Sequence, residues 1–288
     1  TAASAIGYLY DVLKDFKDNP IILSEIGIYY YRSGQLKNYE NIKKKLQEIN
    51  DKDSNMFKFL VESAKLDDDY KKIVDYAYKV IEIDPGDLKT RIYLAEILME
   101  LRKYKKAKFQ LDEIKKRFSS FPRLNYFYAK FYILINDLDK ATELALAEQK
   151  QNPGVVDGPL LLGDIYKKKK EIFKARDYYL LATQIDPKNI EAILGLAFIA
   201  FHSNQFDLAI DQYQKAIGLD ETRPESYKLL GDVYKKLGQS QPAINNYKQF
   251  LELSPNSRYK SSLMNYIQKV EWGRYAWYKI FWKQLRLC

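Results

Sequence analysis

The sequence predicts an all-α solenoid of stacked helix pairs, and three observations carry that expectation. Seven segments superimpose at a spacing of 34 residues with no insertion between them, beginning at Pro20, Ser54, Leu88, Pro122, Val156, Ile190 and Pro224. Within each block the apolar residues fall mainly at positions 4, 7, 8 and 11, then at 20, 24 and 27, which are the stripes of two successive amphipathic helices. Small residues and prolines recur in the same phase. A fixed period of this size marks a solenoid.

The elements follow in order. Extending the register backwards puts Ala5, Leu9 and Val12 at positions 20, 24 and 27, so residues 3–17 read as the second helix of a unit whose first helix is missing. The chain opens on Thr1, not Met, and reads as a piece of a longer protein, so a missing leader says nothing of compartment. Block 20–53 carries Gly27 and Tyr30, then drifts, with Tyr39 where a small residue is due. Block 54–87 has Val61, Ala64, Ile73, Ala77 and Pro85; block 88–121 has Ala95, Leu98, Ala107 and Leu111. Block 122–155 shows Ala129, Tyr132, Ala141, Ala145 and Pro153. Block 156–189 is the most regular, with Gly163, Tyr166, Ala175, Tyr179, Ala182 and Pro187. Block 190–223 gives Ala197, Ala200, Ala209, Tyr213 and Ala216, with Glu221 in the proline place. Block 224–257 gives Gly231, Tyr234, Ala243, Tyr247, Phe250 and Pro255.

Gly or Ala at positions 8 and 20 suggests that two helix backbones approach closely. Asp84-Pro85 and Asp186-Pro187 stop second helices, because the residue before proline is pushed out of the helical region. One such pair cannot bury its own apolar face and must stack on neighbours. A last helix from about Arg258 to Glu271 carries Asn265 where a small residue is due, and so reads as a cap. The tail that follows holds all three tryptophans, Trp272, Trp277 and Trp282.

The small-large-small ladder of Gly163, Tyr166, Ala175, Tyr179, Ala182 and Pro187, repeated in register, resembles the tetratricopeptide repeat. The resemblance covers seven units over residues 20–257, with residues 1–19 and 258–288 as terminal helices of one elongated domain. It implies a right-handed superhelix of antiparallel helix pairs. The bulky aromatic usual at position 4 is replaced by Leu23, Arg91, Asn125 and Pro159.

It also implies that positions 2, 5, 9, 12 and 13 of the first helices, and position 6 in part, line a concave groove. Those positions hold Tyr93, Tyr126, Phe127, Lys130, Leu160, Asp164, Leu194, Phe198 and Phe201, an apolar lining with interspersed charge. Such a surface suits an extended peptide or amphipathic helix. The competing reading is that these side chains pack on one another. The family's two-carboxylate clamp for acidic chain ends is not matched: Lys58 and Arg123 fit, but Glu62, Tyr93 and Phe127 stand where the other clamp residues belong.

Charge and composition narrow the function further. The net charge is +9, but residues 258–288 carry +6 of it, leaving a nearly neutral body. That distribution argues against a nucleic-acid footprint. Lys43–Lys45 and Lys167–Lys170 read as solvated helix faces and ends. No apolar run is long enough to span a membrane. The single cysteine, Cys288, excludes paired-cysteine metal sites.

No phosphate loop, nucleophile elbow or metal-binding histidine pair occurs, and the one histidine, His202, stands alone. Asp51-Lys-Asp-Ser-Asn55 has calcium-loop oxygens with Glu62 in the twelfth place, but it lacks the central glycine. It reads better as an N-cap at Asp53 or Ser54. Asp67–Asp69 reads as a turn and cap.

No catalytic residue, cofactor or metal is expected. The reading is a non-enzymatic scaffold for a protein or peptide partner within an assembly, on the cytoplasmic or periplasmic face of one. An accessory array of a larger enzyme such as a glycosyltransferase, an RNA-binding array, or a part of a bacterial envelope, secretion or flagellar machine are the alternatives. The tail, with Trp272, Trp277, Phe281 and Trp282, covers the last unit, docks another domain, or lies at a membrane surface.

Overall fold

The computed structural model describes the backbone of residues 2–50, 53–119 and 121–285, and the side chains of 6–49, 53–119 and 121–272. Among the described residues there are sixteen α-helices and no strand. The chain forms two compact units, Thr1–Asp137 and Leu138–Cys288, where the register alone suggests one elongated domain. The division falls inside the fourth block. Helices of a repeat array touch only near neighbours, so a division at any rung leaves each side with its own core.

The first unit holds α1 (Ala2–Asp15), α2 (Pro20–Arg32), α3 (Leu36–Asn50), α4 (Ser54–Leu66), α5 (Tyr70–Ile83), α6 (Leu88–Glu100), α7 (Tyr104–Arg117) and α8 (Leu124–Leu134). The second holds α9 (Leu138–Gln151), α10 (Asp157–Lys168), α11 (Ile172–Ile185), α12 (Ile190–His202), α13 (Phe206–Leu219), α14 (Pro224–Lys236), α15 (Ser240–Leu253) and α16 (Lys260–Leu285). In both units the two helices of a block pack on each other, and second helices pack on the first helix that follows, as in α5 on α6 and α11 on α12.

Helix starts are fixed by short polar caps. Asn19, Asp53, Asp69, Asp87 and Asn189 accept backbone N–H bonds of the first turns of α2, α4, α5, α6 and α12; each such cap contributes about 1 kcal/mol. Asp53 thus caps α4, while Asp51 and Lys52 lie outside the described residues. α5 and α11 end at Ile83 and Ile185, with the following Asp84 and Asp186 in extended backbone before proline. α8 starts late, at Leu124, because Arg123 sits at φ 63° and cannot continue a helix backwards.

The turn between the two helices of a block is the most regular feature, and its repeat is not visible in residue type. Position 15 is left-handed in all seven blocks: Gly34, Asp68, Arg102, Asn136, Lys170, Asn204 and Gly238 have φ between 52° and 73°. Its N–H bonds the carbonyl three residues back, and the next N–H reaches five back, as in Lys170 to Lys167 and Glu171 to Tyr166. The pair satisfies carbonyls that a helix end would otherwise leave open.

The small residue at position 8 makes room for a ring, where the pattern alone suggests a second backbone. A Cβ on Gly163 would stand 2.6 Å from the Tyr179 ring, and one on Gly195 of the next block would meet the same ring at 2.6 Å. Gly231 seats Tyr247 in the same way, and Gly27 seats Phe59 of the following block.

At the C-terminal end Leu263 and Ile267 of α16 are buried against Ala243, Ile244, Tyr247 and Phe250, so this helix covers the last pair. It runs on to Leu285 without a break at Gly273, past the expected end at Glu271.

Two predictions follow from these packing rules. Lys170→Gly should raise stability by about 0.5–1 kcal/mol, and Gly238→Ala should lower it by about 1 kcal/mol; shifts of the urea midpoint in opposite directions check the pair. Gly163→Ala should cost about 1–3 kcal/mol, since neither wall of the Tyr179 slot is flexible.

Candidate functional site

The candidate residues fall on both units, and each group forms its own surface. In the first unit they come from α6 and α8. Tyr93 is half-buried beneath Lys65, whose ammonium stands 3.8 Å from the ring centre and 2.6 Å from Glu62. Burial, with Glu62, Glu100 and Glu96 nearby, pushes the Tyr93 phenol up to about 12. Tyr126 is half-buried, with Arg123 at 4.5 Å and Lys130 at 5.3 Å from its ring centre. Lys130 donates to Glu96 at 2.8 Å; both occupy position 9, one block apart. The cations over these rings are satisfied electrostatically by the ring faces and by carboxylates at once.

Phe127 does not belong to this surface. It is 9% exposed and lies in the core, with its ring edge-to-face with Tyr126 at 5.2 Å. Position 6 of α8 lies on its buried face with Leu124, Tyr128 and Phe131, as Phe59 and Leu161 at the same position of other blocks are buried too. Lys58 is likewise committed, 2.5 Å from Asp87 in an ion pair across the α5–α6 turn.

In the second unit the residues come from α10 and α12. Leu160 and Phe198 are half-buried against Ala175, Tyr179 and Ile199. Leu194 and Phe201 lean on the next cluster, which includes Ala197, Tyr213 and Leu230. Asp164 accepts from the Tyr179 hydroxyl at 2.7 Å and from Lys167 at 2.7 Å. One block pair later Asp232 repeats the arrangement, with the Tyr247 hydroxyl at 2.8 Å and Lys228 at 2.7 Å. Lys167 also stands 5.6 Å from the Phe198 ring centre. His202 is exposed at the end of α12, its ring 4.1 Å from that of Phe198.

The Tyr–Asp rungs are a feature that sequence reasoning missed. The signal was present as an Asp at position 9 and a Tyr at position 24, fifteen residues apart in both the fifth and seventh blocks. Of the tail residues, Trp272 is 73% exposed. Trp277, Phe281 and Trp282 lie on the helical backbone of α16, but their side chains are outside the described residues, as is Cys288. Among the described residues no helix is long and apolar enough to cross a membrane, and no group of three His, Cys, Asp or Glu could hold a metal ion.

Comparison with known proteins agrees with this architecture. The family profile described as "TPR repeat" matches residues 199–238, and that described as "Tetratricopeptide repeat" matches 160–189 and 224–257. The chain is similar to Anaphase-promoting complex subunit 3 of Dictyostelium discoideum, 34% identical over 90 residues, which are 31% of this chain and 9% of that protein. It is also similar to Cellulose synthase operon protein C of Pseudomonas fluorescens (strain SBW25), 25% identical over 201 residues, 66% of this chain and 16% of that one. Among solved structures, yeast Tom70 superimposes with a TM-score of 0.70 at 16% identity, over 99% of this chain and 62% of that one. The chain therefore spans a small part of the curated relatives it matches. Its repeats and fold make it a tetratricopeptide repeat protein, and that fold is consistent with a protein-interaction scaffold.

The Tyr–Asp rungs generate a pH prediction. Burial first, and then Asp164 or Asp232, raises the phenols of Tyr179 and Tyr247 above the ordinary tyrosine range. The folded chain thus holds protons that the unfolded chain releases near pH 10, so this stability is complete below pH 10 and falls as pH rises beyond it. Urea midpoints measured from pH 8 to 11 should drop above pH 10, and Tyr179→Phe should flatten the drop.

Proposed function

We propose that the chain is a non-enzymatic scaffold that holds a peptide or helix of a partner protein against its first helices. Seven tandem units over residues 20–257, flanked by terminal helices, would present that surface. The observation that carries the reading is the exposure state of the position 5, 9 and 12 residues. Leu160, Leu194, Phe198 and Phe201 are held half-buried, with their backs on the core. Tyr93 and Tyr126 are likewise half-buried in the first unit, with Lys65 over one ring and Arg123 and Lys130 over the other. Apolar side chains fixed in this way lose little conformational freedom when a partner covers them, so most of the burial gain survives as affinity.

Each large anchor covered contributes roughly 2 kcal/mol, and every 1.4 kcal/mol is a factor of ten in affinity. The nearly neutral body favours a protein over a nucleic acid as that partner. The name of the Dictyostelium relative, a subunit of a complex, is in keeping with a place in an assembly.

Leu194→Ala combined with Phe198→Ala should weaken capture of the partner at least a hundredfold while circular dichroism stays unchanged. Affinity purification with mass-spectrometric identification, run on both forms, reads this out. Partner recovery undiminished in the double variant places the contact elsewhere. Phe127→Ala belongs to a different class: as a core truncation it should cost about 3 kcal/mol of stability.

A further inference from the structure

The outer face of α7, in the first unit, combines unpaired cations with exposed rings, and it lies apart from the groove residues, which belong to first helices. Residues 102–118 hold eight basic and two acidic side chains, a net of +6, while the rest of residues 1–257 sums to −3. Both acids are engaged. Asp112 accepts from the Tyr128 hydroxyl at 2.7 Å and pairs with Lys108 at 2.7 Å. Glu113 stands 3.6 Å from Arg117. Arg102, Lys103, Lys105, Lys106, Lys115 and Lys116 are exposed and make no ion pair among the described residues.

Solvated lysines are ordinary on a helix; the two rings among them are not. α7 buries Ala107, Gln110, Leu111 and Ile114. At about 100° per residue the opposite ridge is Lys105, Phe109, Asp112 and Lys116. Phe109 is 57% exposed there, and Phe118, just past the helix end, is 46% exposed. Phe109 occupies position 22, where the other six blocks have Asn41, Asp75, Glu143, Asp177, Asp211 and Asn245. Phe118 occupies position 31, where they have Asn50, Asp84, Asn152, Asp186, Asp220 and Ser254. Nothing in the packing calls for a ring at either place, since six blocks fold with polar side chains there.

We propose that this face binds the surface of an anionic lipid membrane. Phe109 and Phe118 enter the boundary between headgroups and acyl chains, while the lysines alongside lay their stems along it and keep their ammonium groups at the lipid phosphates. Two features favour lipid over nucleic acid. Five of the six unpaired cations are lysines, compact charges that suit a diffuse negative surface better than bidentate reading of one phosphate. The face is the convex outside of a helix, whereas single-stranded nucleic acid is held in a groove that tracks its backbone.

The test uses the full chain and co-sedimentation with vesicles, either of phosphatidylcholine alone or of phosphatidylcholine and phosphatidylserine in equal parts. The chain should bind the anionic vesicles at least tenfold more tightly than the neutral ones, and less tightly as salt rises. Phe109→Asn with Phe118→Asn, a residue that other blocks carry at both positions, keeps the charge and should weaken that binding at least tenfold with circular dichroism unaltered. Lys105→Gln with Lys116→Gln should also weaken it at least tenfold and make the salt dependence shallower. Anionic-vesicle binding that the phenylalanine variant leaves intact places the contact elsewhere, the basic aromatic tail included, and overturns the proposal. Absence of binding to anionic vesicles overturns it as well. Retention of single-stranded RNA in place of vesicles assigns the cations to nucleic acid and overturns it too.

Discussion

The stack depends on the seating of one large ring in the space left by small residues. Tyr179 leaves α11, passes over Gly163 of its own block and meets Gly195 of the next, so a single side chain sets the spacing of three helices. It is 1% exposed, and burying a ring of this kind removes 150–250 Å² of mostly apolar surface from water. The hydroxyl cannot be left dry, and Asp164 receives it. Tyr247 does the same with Gly231 and Asp232. Where the residue at position 8 is bulky the ring is absent: the Val61 block has Ala77 at position 24.

This explains why the phase of 34 residues never slips. Inserting one residue between positions 8 and 24 would rotate the ring by about 100° around its helix and move it out of the slot. The left-handed residue at position 15 reinforces the count. It closes the turn with two backbone bonds at fixed offsets, and those bonds require a given number of residues between helices. Arg102 and Lys170 tolerate this backbone even though a β-carbon makes it unfavourable; the geometry of the stack holds them there.

Much of this was legible in the sequence. Helix pairs, their starts at Pro20, Ser54, Leu88, Ile190 and Pro224, and the Asp-Pro stops all follow from periodicity and capping chemistry. Three features were not legible. The left-handed turn escaped because its position mixes Gly34 and Gly238 with Asp68, Asn136 and Asn204, which tolerate this backbone, and with Arg102 and Lys170, where closure of the turn imposes it. Phe127 looked like a groove residue by register, but position 6 belongs to the buried face of the first helix, as Phe59 and Leu161 show. The continuation of α16 through Gly273 escaped because glycine in a helix costs only about 1 kcal/mol, too little to end it against twenty-five favourable neighbours.

The same rungs tie the core to the candidate groove. Position 9 belongs to the proposed groove lining, yet in α10 and α14 its carboxylate accepts the hydroxyl of a core tyrosine. Asp164 already has two partners, Tyr179 and Lys167. A basic side chain of a bound protein would find that carboxylate occupied and would have to displace Lys167, the more exposed of the two donors. The core hydroxyl would stay in place, since losing its acceptor leaves a buried polar group unsatisfied at about 1–3 kcal/mol. Lys167 is therefore the exchangeable element: it can swing from Asp164 towards the solvent or a ligand acid at little cost, because surface ion pairs are worth about 0–1 kcal/mol. A groove built in this way would keep its shape through buried tyrosines, while surface lysines such as Lys167 would be the groups that trade partners.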